Sequence, residues 1–149
     1  MREVLLRGKR IDNGEWVYGY LIAPEFAPER TFIGHLFADD DHDIDVVEVD
    51  PKTIGQYTGL EDMNGRKIFE GDIVKLTDDV NGFSWFAVVR FGNPNCTYDW
   101  GWQLEPISKY NGTNEILLWI DMEDKGAYCE VIGNIHDNPE LMEVTQNDD

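Results

Sequence analysis

The chain has 149 residues, carries 30 acidic and 12 basic side chains for a formal charge of −18, and is 12% aromatic. Its length suits one domain or two very small ones, and the aromatic content sets it apart from disordered acidic chains. The charge argues against general DNA or RNA binding, which needs clustered Lys and Arg, and against anionic membranes; it leaves a basic partner, a divalent cation or plain solubility.

The opening Met1-Arg2-Glu3-Val4-Leu5-Leu6-Arg7 is too short an apolar run for a signal peptide. No stretch reaches the roughly 20 apolar residues of a membrane helix. Asp12-Asn13-Gly14 precedes Glu15-Trp16-Val17-Tyr18-Gly19-Tyr20-Leu21-Ile22, a run rich in strand formers. Asn-Gly supplies the positive φ angles of a type I′ turn, which predicts a hairpin with Gly14 at positive φ. Strands are also expected over residues 31–37 and 44–49.

Residues 39–50 hold seven acids and no Lys or Arg. Asp39, Asp40, Asp41 and Asp43 are expected to form an exposed loop, with Ile44, Val46 and Val47 leading into the next strand. The alternating acids imitate an EF-hand, but the required glycine is replaced by Ile44 or Val46, so an EF-hand is rejected. Gly55, Gly59 and Gly65 cluster where a boundary is expected, dividing the chain into residues 1–60 and 61–149, or one continuous domain. Within Gly55-Gln56-Tyr57-Thr58-Gly59, Gln56 and Tyr57 either offer a binding edge or belong to a strand whose tyrosine fills the junction between the halves.

A strand is expected over residues 68–76. There Glu70 and Asp72 either share a strand face as paired carboxylates, or Asp72 accepts backbone hydrogen bonds in a Glu-Gly-Asp turn. The clearest alternation is Phe83-Ser84-Trp85-Phe86-Ala87-Val88-Val89-Arg90-Phe91, which predicts Trp85, Val89 and Phe91 in the core. Asn64-Gly65, Asn81-Gly82 and Asn111-Gly112 add turn signals. Residues 114–123 are open between helix and strand, and 128–132 read as a strand. Asn138-Pro139-Glu140-Leu141-Met142 starts a short helix, with Asn138 as its N-cap. The fold class is therefore mostly β: N-terminal antiparallel hairpins packed on a C-terminal small barrel, with a short C-terminal helix.

Catalytic signatures are missing. Ser84 and Ser108 sit in no nucleophile elbow. Cys96 and Cys129 form no CxxC pattern and read as thiols of a reducing compartment, with a disulfide left open. Pairing of either with His35, His42 or His136 depends on the fold. The expectation is no enzyme, no cofactor and no metal.

Leu6-Arg7-Gly8-Lys9-Arg10 with Asn13-Gly14-Glu15-Trp16-Val17-Tyr18-Gly19 resembles the opening of the YopX family. Thr53-Ile54-Gly55-Gln56-Tyr57-Thr58-Gly59-Leu60, Asp62, Asn64-Gly65 and Ile68-Phe69-Glu70-Gly71-Asp72-Ile73-Val74 look like its central signature. Val131-Ile132-Gly133-Asn134-Ile135-His136-Asp137-Asn138-Pro139-Glu140-Leu141 is similar to its closing motif. Leu6 stands where an aromatic is usual, and the acidic run lies outside the motifs. The resemblance implies a phage or prophage protein of the host bacterial cytoplasm, with an SH3-type barrel in its later part and no established activity. Two functions are expected to compete. One is an accessory module that binds a protein partner, with a basic partner among the options. The other is an acidic DNA mimic that occupies a host nucleic-acid-binding protein. Neither contacts nucleic acid or membrane directly, and a homo-oligomer is open. The candidate surface is Asp39, Asp40, Asp41, Asp43, Gln56 and Tyr57.

Overall fold

The computed structural model describes residues 5–36, 44–92, 101–107, 116, 119 and 126–142. Asp39, Asp40, Asp41, Asp43, Cys96 and Asn111-Gly112 lie outside them, as does most of 114–123. The chain divides into two compact units, Met1–Tyr57 and Thr58–Asp149.

The first unit is a run of antiparallel strands, β1 (Leu6–Lys9), β2 (Trp16–Ile22), β3 (Thr31–Leu36) and β4 (Ile44–Val49). They lie in the order β4-β3-β2-β1, and β1 also pairs with the start of β5 (Gly55–Glu61). The expected type I′ turn is corrected in one respect. Arg10 and Glu15 close a four-residue loop instead of a two-residue one, with Gly14 at φ 73° donating to the Arg10 carbonyl. The Asn13 side chain accepts the Glu15 N–H and so stabilises the longer loop locally.

The sheet curls until Val49 bridges Arg10, where the Asp50 N–H reaches the Lys9 carbonyl at 2.9 Å. On the concave side Ile33 and Val49 are fully buried. A Cβ on Gly8 would fall 3.1 Å from Val49 Cγ2, and one on Gly19 would strike the Gly34 carbonyl. The motif glycines are thus sites of close approach. A 3-10 turn, Pro51–Thr53, follows β4, and the Thr53 hydroxyl accepts the Lys9 N–H at 2.9 Å.

In the second unit the remainder of β5 pairs with β6 (Lys67–Phe69). The expected strand over 68–76 is split: the Glu70-Gly71 turn separates β6 from β7 (Asp72–Asp78). With β8 (Phe83–Gly92), β9 (Gly101–Pro106) and β10 (Ala127–Asn134), β7 forms an antiparallel sheet ordered β10-β7-β8-β9. Among the described residues no closed barrel forms. The sheet is covered on both faces, so it need not wrap around a single core. Trp85, Ala87, Val89, Val74 and Leu76 join Ile116 and Trp119 in the larger cluster. Ile73, Val88 and Ile107 form a smaller cluster with Phe86, Leu141 and Met142. Ile116 and Trp119 are helical, which resolves the ambiguity at these positions, and Trp119 meets Trp85 edge-on at 6.0 Å.

Phe91 is not a core residue: it is 62% exposed. Phe91 lies near the end of β8, opposite Trp102 of β9, and packs edge-on against that ring at 5.0 Å. At the end of the described chain, residues 140–142 make one helical turn. Asn138 does not cap it in the expected manner; its Oδ1 reaches back to accept the Asn134 N–H at 3.2 Å.

Candidate interaction surface

Residues directly opposite in antiparallel strands share a face. Tyr20 lies opposite Gly34, and Gly34 opposite Val46; Ile22 lies opposite Phe32, and Phe32 opposite Glu48. Alternation along β2 adds Trp16 and Tyr18 to the same convex face. Tyr18 is 45% exposed, Tyr20 60%, Ile22 36% and Val46 47%. Gly34, between Tyr20 and Val46 in this row, adds no side chain of its own. Cations lie over the flanking rings. Arg7 stands 4.7 Å and Lys9 5.5 Å from the Trp16 ring centre, and Arg30 stands 5.0 Å from that of Phe32. The Arg30 guanidinium also holds Glu48 through two bonds of 3.1 and 2.8 Å, which keeps the Glu48 carboxyl below its ordinary range.

The face was hidden in the sequence because Val17, Gly19 and Leu21 are as apolar as Tyr18, Tyr20 and Ile22. Alternation could not say which set faced inward. The available signal was size: glycines mark the tight concave side, and the bulky aromatics occupy the other.

Of the residues expected to form a surface, Tyr57 is buried and its N–H donates to the Leu5 carbonyl at 2.8 Å. Gln56 is half-buried, paired with Leu6. Asp39, Asp40, Asp41 and Asp43 lie outside the described residues.

The titratable groups inside the second unit have structural duties. The buried Asp62 carboxylate accepts the N–H groups of Asn64 and Arg66 through Oδ1 and of Val131 through Oδ2, all at 2.9 Å. It thereby fastens the β5–β6 hairpin to β10. Asp72 is buried and accepts the Phe69 N–H at 2.7 Å across the Glu70-Gly71 turn. This is the turn-holding role; Glu70 lies in the turn and shares no strand face with Asp72. Cys129 is a free, buried thiol, pushed up to about 12 by burial and further by the charges of Asp62 and Asp72. Such a thiol is a poor nucleophile at neutral pH. Among the described residues no group of three His, Cys, Asp or Glu side chains could hold a metal ion. No described helix is long and apolar enough to cross a membrane.

The model of the YopX protein family matches residues 6–143. The chain belongs to the YopX family. A solved structure, protein EF1440 from Enterococcus faecalis, is 20% identical, with 95% of this chain and 99% of that one covered at a TM-score of 0.49. No curated protein matches the chain. The motifs through which this chain resembles the YopX family hold the architecture. Gly8 and Gly19 allow the curl, and Asp62 and Asp72 pin turns. Asn134 Oδ1 accepts the N–H groups of His136 and Asp137 in the closing turn.

Proposed function

We propose that this YopX-family chain is a non-catalytic protein-interaction module that binds through the convex face of its N-terminal sheet. The observation that carries this is the exposure of Tyr18, Tyr20, Ile22 and Val46 side by side on one face. Tyrosines so placed give a large contact area at small conformational cost and recur as anchors of interfaces. The family resemblance supports a phage or prophage accessory role in the bacterial cytoplasm. It also supports an SH3-like arrangement of the second unit, in keeping with its short antiparallel strands. Affinity capture from bacterial lysate with the native chain and with Tyr20→Ser tests the proposal. Partners retained by the native chain should be lost by the variant at an unchanged melting midpoint. Equal retention would refute the assignment.

The charge of −18 favours a second reading, the DNA mimic. It predicts partners that bind nucleic acid, that leave at high salt and that are indifferent to Tyr20→Ser. An aromatic interface predicts salt-tolerant partners that respond to the substitution.

A further inference from the structure

We propose that Asn13 is a site of spontaneous deamidation, converted to isoaspartate and aspartate while the chain stays folded, ahead of the other described Asn-Gly pairs, Asn64-Gly65 and Asn81-Gly82. This stands independently of the interaction surface. In the reaction the Gly14 backbone nitrogen gives up its proton and attacks Asn13 Cγ; glycine has no side chain to obstruct the approach. The new C–N bond closes a succinimide ring, the Cγ–Nδ2 bond breaks, and ammonia leaves with that proton. Water then opens either imide carbonyl, which gives aspartate or isoaspartate and releases a proton.

The attacking nitrogen is placed alike in all three pairs. Each asparagine and its glycine are exposed, and each glycine N–H donates to a main-chain carbonyl: Gly14 to Arg10 at 2.9 Å, Gly65 to Asp62 at 3.0 Å and Gly82 to Asp78 at 2.8 Å. The difference lies in the amide under attack. Asn13 Oδ1 accepts the Glu15 N–H at 2.9 Å, so a fixed donor already faces the oxygen on which negative charge gathers as the ring closes. Among the described residues nothing accepts from Asn13 Nδ2, the group that leaves. The other two amides are clamped by carboxylates. Asn81 Nδ2 donates to Asp78 Oδ2 at 2.8 Å, and the Asn81 N–H donates to Oδ1 of the same group at 3.0 Å. The Asn81 side chain in turn holds the Asp78 carboxyl below its ordinary range, so this clamp stays charged at neutral and alkaline pH. The Asn64 N–H donates to Asp62 Oδ1 at 2.9 Å, and its Nδ2 reaches Glu130 Oε2 at 3.3 Å. Ring closure at Asn81 or Asn64 breaks the bond its leaving group makes, a cost that Asn13 escapes. The product at Asn13 adds a carboxylate and, as isoaspartate, a main-chain methylene in the loop that leads into Trp16 and β2.

The test incubates the full chain in mildly alkaline buffer, folded and in denaturing urea, and follows each asparagine by peptide mapping with mass spectrometry. Electron-transfer fragmentation separates isoaspartate from aspartate. In the folded chain Asn13 should convert first, with Asn81 about tenfold slower, the weight of one hydrogen bond to a charged group, and Asn64 between them. In urea the three rates should converge, since each asparagine then has only its glycine beside it. Asp78→Ala removes the clamp on Asn81 and should raise its rate several-fold relative to Asn13, which serves as the clock within the same molecule. Conversion of Asn81 or Asn64 as fast as Asn13 in the folded chain would overturn the proposal. So would an intact Asn13 in the folded chain under conditions that convert it in urea. A ranking that persists in urea would assign the order to neighbouring sequence instead of the fold, and an Asn81-to-Asn13 ratio unmoved by Asp78→Ala would remove the clamp; either result contradicts the account.

Discussion

Asp62 shows what one side chain contributes and why it was hard to find. Its carboxylate serves three N–H groups, two in its own hairpin and one on Val131. Asn64-Gly65 revealed the turn, but nothing local in the sequence connects Asp62 to a strand 69 positions away. Asp72 was legible because its Phe69 contact is local. Asp62→Ala strands those donors and should destabilise the protein by about 2–4 kcal/mol in denaturant unfolding, with Asp62→Asn in between. Cys129 carries a pH prediction. Its folded pKa is raised to about 12, whereas an unfolded thiol ionises near pH ~8.5. The stability this group contributes is therefore complete below about pH 8.5 and is lost as pH rises towards 12. Denaturation midpoints of Cys129→Ala should fall less steeply than those of the native protein across that window, and parallel curves would contradict the assignment.

At the scale of elements, β8 follows its predicted inward face through Trp85, Ala87 and Val89 and departs from it at Phe91, near the end of the strand. Trp85 and Val89 are fully buried, whereas Phe91 is exposed opposite Trp102 of β9. Trp85→Ala should cost roughly 3–5 kcal/mol, and Phe91→Ala about 0.5–1.5 kcal/mol, chiefly its edge contact with Trp102. Sequence periodicity describes one strand, but the extent of pairing belongs to its partners. The turns follow the same logic. Asn13-Gly14 located the first hairpin, while the loop length came from the Arg10–Glu15 pairing. Gly14→Val should cost about 1 kcal/mol or more through its positive φ alone, since nothing crowds the site. Gly19→Ala should cost more, because its methyl group meets the Gly34 carbonyl. Thermal melts of the two variants side by side test that order.

For the whole molecule, the mostly β class and the family were legible in the sequence, since turn glycines, alternation and ordered motifs are local signals. Which face of the N-terminal sheet turns inward was not. That depends on curling, which brings Val49 to Arg10 and excludes Tyr18 and Tyr20 from the concave side. The acidic composition directed attention to Asp39–Asp43, whereas the described structure offers an aromatic face on a chain of charge −18. The proposed interface is that aromatic face. Mass-resolved oxidative footprinting of the free chain and of its captured complex tests this most directly. Tyr18 and Tyr20 should be modified readily in the free chain and protected in the complex, with exposed Phe91 unchanged in both. Undiminished modification of Tyr18 and Tyr20 in the complex would contradict the account.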